Sequence, residues 1–229
     1  FARLAEYDAL FIRETTSVMH HTFRFARRAE AEGLIVMDDS TSILRCTNKV
    51  YLAELLDRHD IPIPRTIIVH KENLNRIGPE LGFPCVLKQP DSAFSKGVIK
   101  VENELGLREE ASKLLEDSDL LIAQEFISTP FDWRIGIVDR KPLYACKYFM
   151  ARRHWQIINP SDNGTAREGR VETLPVELAP RNVVRTALRA ANLIGNSFYG
   201  VDVKQVGRKA YVIEVNDNPS IEAGYEDRV

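Results

Sequence analysis

The stretch YVIEVNDNP, Tyr211 to Pro219, closes an apolar run with an acid and an amide two residues apart, Glu214 and Asn216. Side chains alternate faces along a strand, so this spacing puts a carboxylate and an amide oxygen on one surface, both of them hard ligands of the kind that hold a divalent cation. A third oxygen comes from Asp202 in the preceding run, GVDVKQV, which leads into Gly207-Arg208-Lys209 and reads as the first arm of a hairpin. Register decides whether Asp202 joins the other two. A three-residue loop pairs Val206 with Ala210 and Asp202 with Glu214, on the same face. A two-residue loop at Gly207-Arg208 sets Asp202 opposite Ile213, on the other face. The three-residue loop is the expectation.

At 229 residues the chain is long enough for one large domain or two to three small lobes, and its 44% apolar content is that of an ordinary globular protein rather than a disordered one. A formal charge of −2 gives no general pull toward nucleic acid or anionic membrane, so anion binding has to be local. Cys46, Cys85 and Cys146 are odd in number, far apart and without a CxxC. That usage suits small buried thiols in a reduced, cytoplasmic protein rather than a disulfide scaffold or a zinc site. No apolar run approaches the roughly 20 residues that span a bilayer. The chain starts at Phe1 and stops on a charged stretch, and so reads as part of something longer.

DALFIRE (8–14) and LIVMDD (34–39) flank TFRFARRAEAEG, a helical pattern that Gly33 can end, giving a β-α-β unit. Thr47 is the expected cap of the next helix, KVYLAELLDRHD, which Pro62 and Pro64 end. RTIIV (65–69) is a strand, and a polar helical stretch interrupted at Gly78-Pro79 follows it. FPCVLKQ (83–89) and GVIKVE (97–102) form a strand pair, 103–117 a helix, and LLIAQEFI (120–127) a buried strand. WRIGIVD and PLYACKYFMA form a hairpin turning at Arg140-Lys141. A polar segment from Arg152 to about Thr173 is long for a structureless connection, and such loops are usually either functional or mobile. A helix from about Pro180 to Ile194 and the opening hairpin complete the chain, with no internal repeat.

Lys88 lies near the end of a strand just before the loop Asp91 to Gly97, which carries Ser92, Ser95 and Lys96. Hydroxyls, backbone N–H groups and lysines can wrap phosphates, and Gly97 lets the chain turn into the next strand, although the same composition also makes a solvated hairpin. No GxxxxGK[ST] motif is present. QEFI (124–127) offers an exposed strand edge on which an adenine could pair, beside Phe126 and Ile127. In DWR, Asp132 could accept from ribose hydroxyls and Arg134 could face phosphate oxygens bidentately, or the two could pair locally. Lys147, on the facing arm of the hairpin, could approach the same anion or snorkel to the surface.

The order Lys49 … Lys88 … Ser/Gly loop … QEFI … DWR … Lys147 … GVDV … EVNDNP resembles the ATP-grasp superfamily, and within it the RimK-like carboxylate–amine (alpha-L-glutamate) ligases, relatives of glutathione synthase. The resemblance runs from about Thr47 to Gly224. It implies an α+β fold in which two subdomains grip ATP between antiparallel sheets. Residues 1–46 would be the end of an α/β pre-ATP-grasp domain, 47–123 the central subdomain with the lid loop, and 124–229 the C-terminal subdomain with the metal site. By the same resemblance Lys49 and Lys88 reach the nucleotide phosphates under a lid of Ser92, Ser95, Lys96 and Gly97. Gln124, Glu125, Phe126 and Ile127 hold adenine through backbone groups, Asp132 binds ribose, and Arg134 and Lys147 face the transferred phosphoryl group. Asp202, Glu214 and Asn216 hold two Mg2+ ions, with Glu214 bridging and Mn2+ an alternative. The chain departs from the family pattern in a lid with one glycine and in Ser220, which stands where relatives have glycine.

The implied chemistry is attack of a carboxylate on the γ-phosphorus of ATP, giving an acyl phosphate, and displacement of phosphate by an amine. Expected partners are an amino acid and a carboxylate-bearing small molecule, peptide or protein, with neither nucleic acid nor membrane; a homo-oligomer is compatible with this. Arg152, Arg153, Asn163, Arg167 and Arg170 fall in the long polar segment and could recognise a carboxylate-rich substrate, or serve solubility. His20, His21 and His154 show no metal-ligand spacing and are expected in solvent or core, and Trp133 and Trp155 as packing residues. Phosphoryl transfer without ligation and a non-catalytic ATP-binding module are the competing readings.

Overall fold

The computed structural model describes residues 2–91, 97–159 and 167–228. Two compact units result, one formed by Phe1–Thr47 with Thr129–Val229 and the other by Asn48–Ser128.

The first unit begins with β1 (Ala9–Phe11) and β2 (Ile35–Met37), a parallel pair with Phe11 opposite Met37, joined by α1 (His21–Ala31). Thr22, Ala26 and Ala29 recur at helical spacing on the buried side of α1, and Ala26 packs with Ile12 and Ile43. Gly33, at φ +82°, turns the chain out of the helix into β2, a conformation that a Cβ would strain. Thr47 does not cap the following helix. It is the last residue of α2 (Ser40–Thr47), where its hydroxyl donates to the Ile43 carbonyl at 2.7 Å, one turn back. The cap of α3 (Lys49–Arg58) is Asn48, whose side chain accepts from the Tyr51 N–H.

In the second unit, β3 (Thr66–Val69), α4 (Ile77–Leu81), β4 (Cys85–Lys88), β5 (Val98–Val101), α5 (Glu104–Leu114) and β6 (Leu121–Glu125) follow α3. The strands form an antiparallel sheet in the order β3-β6-β4-β5. Period-two alternation sends Ile67, Val69, Cys85, Leu87, Leu121 and Ala123 into a core with Leu107, Ala111 and Leu114 of α5. Gly78-Pro79 does not interrupt the helical stretch. Pro79 falls in the first turn of α4, where no N–H is needed.

The chain then returns to the first unit through β7 (Phe131–Val138) and β8 (Lys141–Phe149). Their turn is Asp139-Arg140, one residue earlier than expected, with Val138 opposite Lys141 and both turn residues at positive φ. The polar segment is not without structure: β9 (Ile158–Asn159) pairs with β10 (Arg167–Glu168), and β11 (Val171–Leu174) joins the edge of a five-stranded sheet. After α6 (Arg181–Ile194) come β12 (Phe198–Val206) and β13 (Lys209–Asn216), giving an antiparallel sheet in the order β11-β8-β7-β12-β13. α6 packs on β7, β12 and β13 through Val183, Ala187, Ala190, Ala191 and Ile194, its alanines letting the backbone approach closely. On the other face, a Cβ at Gly136 would fall inside the ring of Tyr144, which is buried. Gly136→Ala should therefore destabilise the unit by about 1–3 kcal/mol, seen as a lower urea midpoint at unchanged m.

Candidate functional site

The hairpin of β12 and β13 turns on two residues, Gly207-Arg208, with Val206 opposite Lys209, so the three-residue loop is not formed. Taken alone, that turn would put Asp202 on the wrong face. A β-bulge intervenes: Val203 lies opposite Val212 while Asp202 lies opposite Glu214, which makes Ile213 the extra residue. The slip of one residue at the turn is cancelled by the one-residue bulge. Asp202, Glu214 and Asn216 therefore share a face, as required, by a different route.

On the other side of β12, Asp202 lies opposite Arg134 of β7. The guanidinium holds it bidentately, Nε to Oδ1 at 2.7 Å and Nη2 to Oδ2 at 2.8 Å, with both side chains largely buried. Burial opposes the Arg134 charge, but the Asp202 ion pair outweighs it and holds the guanidinium above its ordinary range. Tyr148 lies under it, 4.9 Å from the ring centroid. Asn216 donates from Nδ2 to Asp202 Oδ2 and to the Gly200 carbonyl, both at 3.2 Å. Two donors thus meet Oδ2 and one meets Oδ1, which leaves a lone pair on Oδ1 by this count, while the Asn216 amide oxygen is not consumed by these bonds. With the Glu214 carboxylate, this donor set is all oxygen and fits a hard cation such as Mg2+.

Lys147 does not belong to this group. It lies opposite Trp133, the neighbour of Arg134, and so on the other face of the sheet. There it pairs with Glu172 at 3.1 Å and sits over the rings of Trp133 and Phe131. Asp132 does share the face of Arg134, but it is buried and its Oδ1 already accepts from Lys204 Nζ at 2.6 Å and Thr129 at 3.0 Å. Burial raises its pKa, with Lys204 working against the rise. Sequence reading passed over Lys204, although its parity with Asp202 was the available signal. Also unforeseen is the segment 220–226 across the site face. Tyr144 donates to the Ser220 carbonyl, Thr173 to that of Tyr225, and Tyr148 to the buried carboxylate of Glu226.

In the other unit, Lys88 donates to Gln124 Oε1 at 2.9 Å, and Gln124 Nε2 donates to Thr66 at 2.9 Å, a chain across three strands on the face opposite the core. Lys49 opens α3, its N–H donating to the Pro90 carbonyl just before the loop that starts at Asp91, and Asn48 donates to Asp91. Gly97 closes that loop at φ +66°, where a Cβ would collide with Gln89. Ser92, Ser95 and Lys96 lie outside the described residues. The expected free strand edge needs correction: β6 is an inner strand, flanked by β3 and β4, and Glu125 pairs with Arg65 through both backbone and side chain. Only Phe126 and Ile127 run past the ladder, where Lys100 sits 4.6 Å from the Phe126 ring centroid.

Of the candidate substrate residues, Asn163 lies outside the described residues and Arg167 is placed only as part of β10. Arg152 is exposed, while Arg170 stacks on Phe149 at 4.3 Å. The three cysteines are buried and free. No helix among the described residues is long and apolar enough to cross a membrane.

Each unit thus has its own antiparallel sheet, the larger with Asp202, Glu214 and Asn216 on one face and the smaller with Lys88 on the face opposite its core. The profile of the ATP-grasp domain matches residues 46–221, and the chain belongs to that family. It is 28% identical over 198 residues to the alpha-aminoadipate–LysW ligase LysX of Saccharolobus solfataricus, covering 83% of this chain and 68% of that protein. It is also 28% identical over 228 residues to a probable alpha-L-glutamate ligase of Syntrophotalea carbinolica, covering 96% and 71%. Solved structures of the same fold include an ATP-grasp RimK domain protein from Sphaerobacter thermophilus, at TM-score 0.69, 18% identity and 93% and 74% coverage. D-alanine–D-alanine ligase from Bacillus anthracis has TM-score 0.68, 20% identity and 88% and 66% coverage. The chain thus spans about two thirds of the length of these proteins.

Beside the site lies an unusual buried acid. Asp38, at the end of β2, is 0% exposed with both carboxylate oxygens unpartnered, and Asp217 Oδ2 is likewise buried without a partner. Burial first, then Asp217, pushes the Asp38 pKa up to about 9, with Arg13 pulling the other way. A carboxyl raised in the fold is neutral there while the unfolded chain ionises, so its penalty grows as pH rises from the ordinary carboxylate range and levels off above about 9. Asp38→Asn should therefore unfold at a higher temperature than wild type at pH 8. The gap should widen between pH 5 and 9 with a limiting slope of about 1.4 kcal/mol per pH unit, as read by calorimetry.

Proposed function

We propose that this chain is the catalytic part of an ATP- and Mg2+-dependent carboxylate–amine ligase working through an acyl phosphate. The observation that carries the reading is the bulged hairpin that sets Asp202 opposite Glu214 beside the bidentate Arg134. The names of two relatives, an alpha-aminoadipate–LysW ligase and a probable alpha-L-glutamate ligase, support it. Residues 1–46 would end a pre-ATP-grasp domain, with a nucleotide-gripping subdomain and a metal-bearing subdomain after it.

In this reading Lys88, steadied by Gln124, and Lys49 contact nucleotide phosphates as point charges, with Gly97 letting the loop turn back over them. Backbone groups at Phe126 and Ile127 take the adenine edge, and Asp132 accepts from ribose. Asp202, Glu214 and Asn216 would hold Mg2+, which supplies charge neutralisation between phosphates and the entering carboxylate. Arg134, permanently charged and fixed by Asp202, faces the transferred phosphoryl oxygens. The protein needs no covalent nucleophile, since its work is to align the attacking oxygen and offset charge. Arg152 and Arg170 are the proposed contacts of an acidic amino acid such as glutamate. The acceptor is a peptide, protein or small-molecule carboxylate, and the site of action the cytoplasm.

Glu214→Gln in the full-length protein should cut ADP formation at least about 100-fold while leaving the unfolding temperature near wild type. With hydroxylamine in place of the amine, wild-type protein, Mg-ATP and the carboxylate substrate should yield a hydroxamate. ADP formation without any hydroxamate would point to phosphoryl transfer without ligation.

A further inference from the structure

Two of the histidines that show no ligand spacing in the sequence, His20 and His21, meet Glu14 in the fold. We propose that Glu14, His20 and His21 form a binding site for a transition-metal ion of the Zn2+ class, separate from the oxygen-lined floor and independent of the ligase reading. Their ligand atoms all lie within 4.8 Å of one another, the one such group of three His, Cys, Asp or Glu among the described residues. A loop of five residues brings Glu14, just past β1, back to His20 and His21 at the start of α1.

Several contacts preorganise the three. His21 Nε2 lies 2.9 Å from Glu14 Oε2. The two imidazoles lie tilted at 44° to each other with 3.9 Å between centroids, and Phe25 meets His21 edge-on at 6.1 Å. His20 Nδ1 is 3.3 Å from the Thr22 hydroxyl, the kind of outer contact that fixes the ring of a metal-ligating histidine. The Glu14 backbone is held too, its carbonyl accepting from Asn218, while Arg13 donates to Asn218 Oδ1 at 2.6 Å and to the Pro219 carbonyl at 3.0 Å. Glu14 is exposed and both histidines are part-exposed, so an ion can enter from solvent.

The donor set selects the metal. Two imidazoles and one carboxylate suit Zn2+, Co2+ or Ni2+, whereas Mg2+ prefers an all-oxygen shell. Ligand atoms around tetrahedral Zn2+ are about 3.3 Å apart, and His21 Nε2 and Glu14 Oε2 already lie 2.9 Å from each other. Three protein ligands leave a fourth position for water or an exogenous ligand. Because Arg13 and Glu14 grip Asn218 and Pro219, bound metal would tie the β1–α1 loop to the segment that directly follows Asn216.

The test is calorimetric titration of chelator-treated full-length protein with Zn2+ in saturating Mg2+, together with the visible spectrum of the Co2+ form. One Zn2+ per chain is expected, with affinity lowered tenfold or more in Glu14→Gln and in the double variant His20→Asn/His21→Asn. Uptake should be unchanged in Glu214→Gln, and Co2+ should give the intense absorption of a tetrahedral site. The circular dichroism of each variant should match wild type; if the histidine variant fails to fold, Glu14→Gln and the Co2+ spectrum decide. No uptake, less than tenfold weakening in the folded variants, loss of the site in Glu214→Gln, or a weak six-coordinate spectrum would overturn the proposal.

Discussion

The buried ion pair of Arg134 and Asp202 is the constraint around which the larger sheet is arranged. Removing two charges from water costs several kcal/mol each, and the pair is sustained by its bidentate geometry and by further contacts to each partner. Asn216 supplies a donor to the carboxylate, and Tyr148 lies below the guanidinium. Each of these partners comes from a different strand, β7, β8, β12 and β13. The charge pair therefore ties four neighbouring strands into one register.

Much of this was legible in the residues. Apolar alternation located β3, β4, β5, β6, β7, β8, β12 and β13, and the oxygen spacing of Glu214 and Asn216 marked the floor. What failed was counting across turns. Gly207-Arg208-Lys209 accommodates a two- or three-residue loop, and nothing local to Ile213 announces a bulge. At the other hairpin the earlier turn alone keeps side-chain parity, and it is a bulge at Leu143, between the pairs Ile137–Pro142 and Gly136–Tyr144, that sets Lys147 opposite Trp133. At Thr47 the sequence is ambiguous, because a helix-ending threonine and a helix-capping one look alike and only the extended backbone of Asn48 distinguishes them.

The histidine cluster was illegible for a different reason. Spacing rules capture ligands on one helix face or one strand, whereas Glu14 and His20 meet because a loop folds back, held by Asn218 more than 200 positions away in sequence. Contacts of that range follow only from the tertiary fold. The same holds for Glu226, which reaches Tyr148 from beyond the last strand.

The bulge at Ile213 has a geometric effect of its own. An extra residue bends its strand and increases local twist, and a tight two-residue turn twists the same hairpin in the same sense. The bulge also acts as a parity switch. With Ile213 inserted, every position of β13 from Glu214 onward lies on the face opposite to the one the turn alone would give it. One apolar residue with no side-chain oxygen thus decides that Asp202, Glu214 and Asn216 share a face.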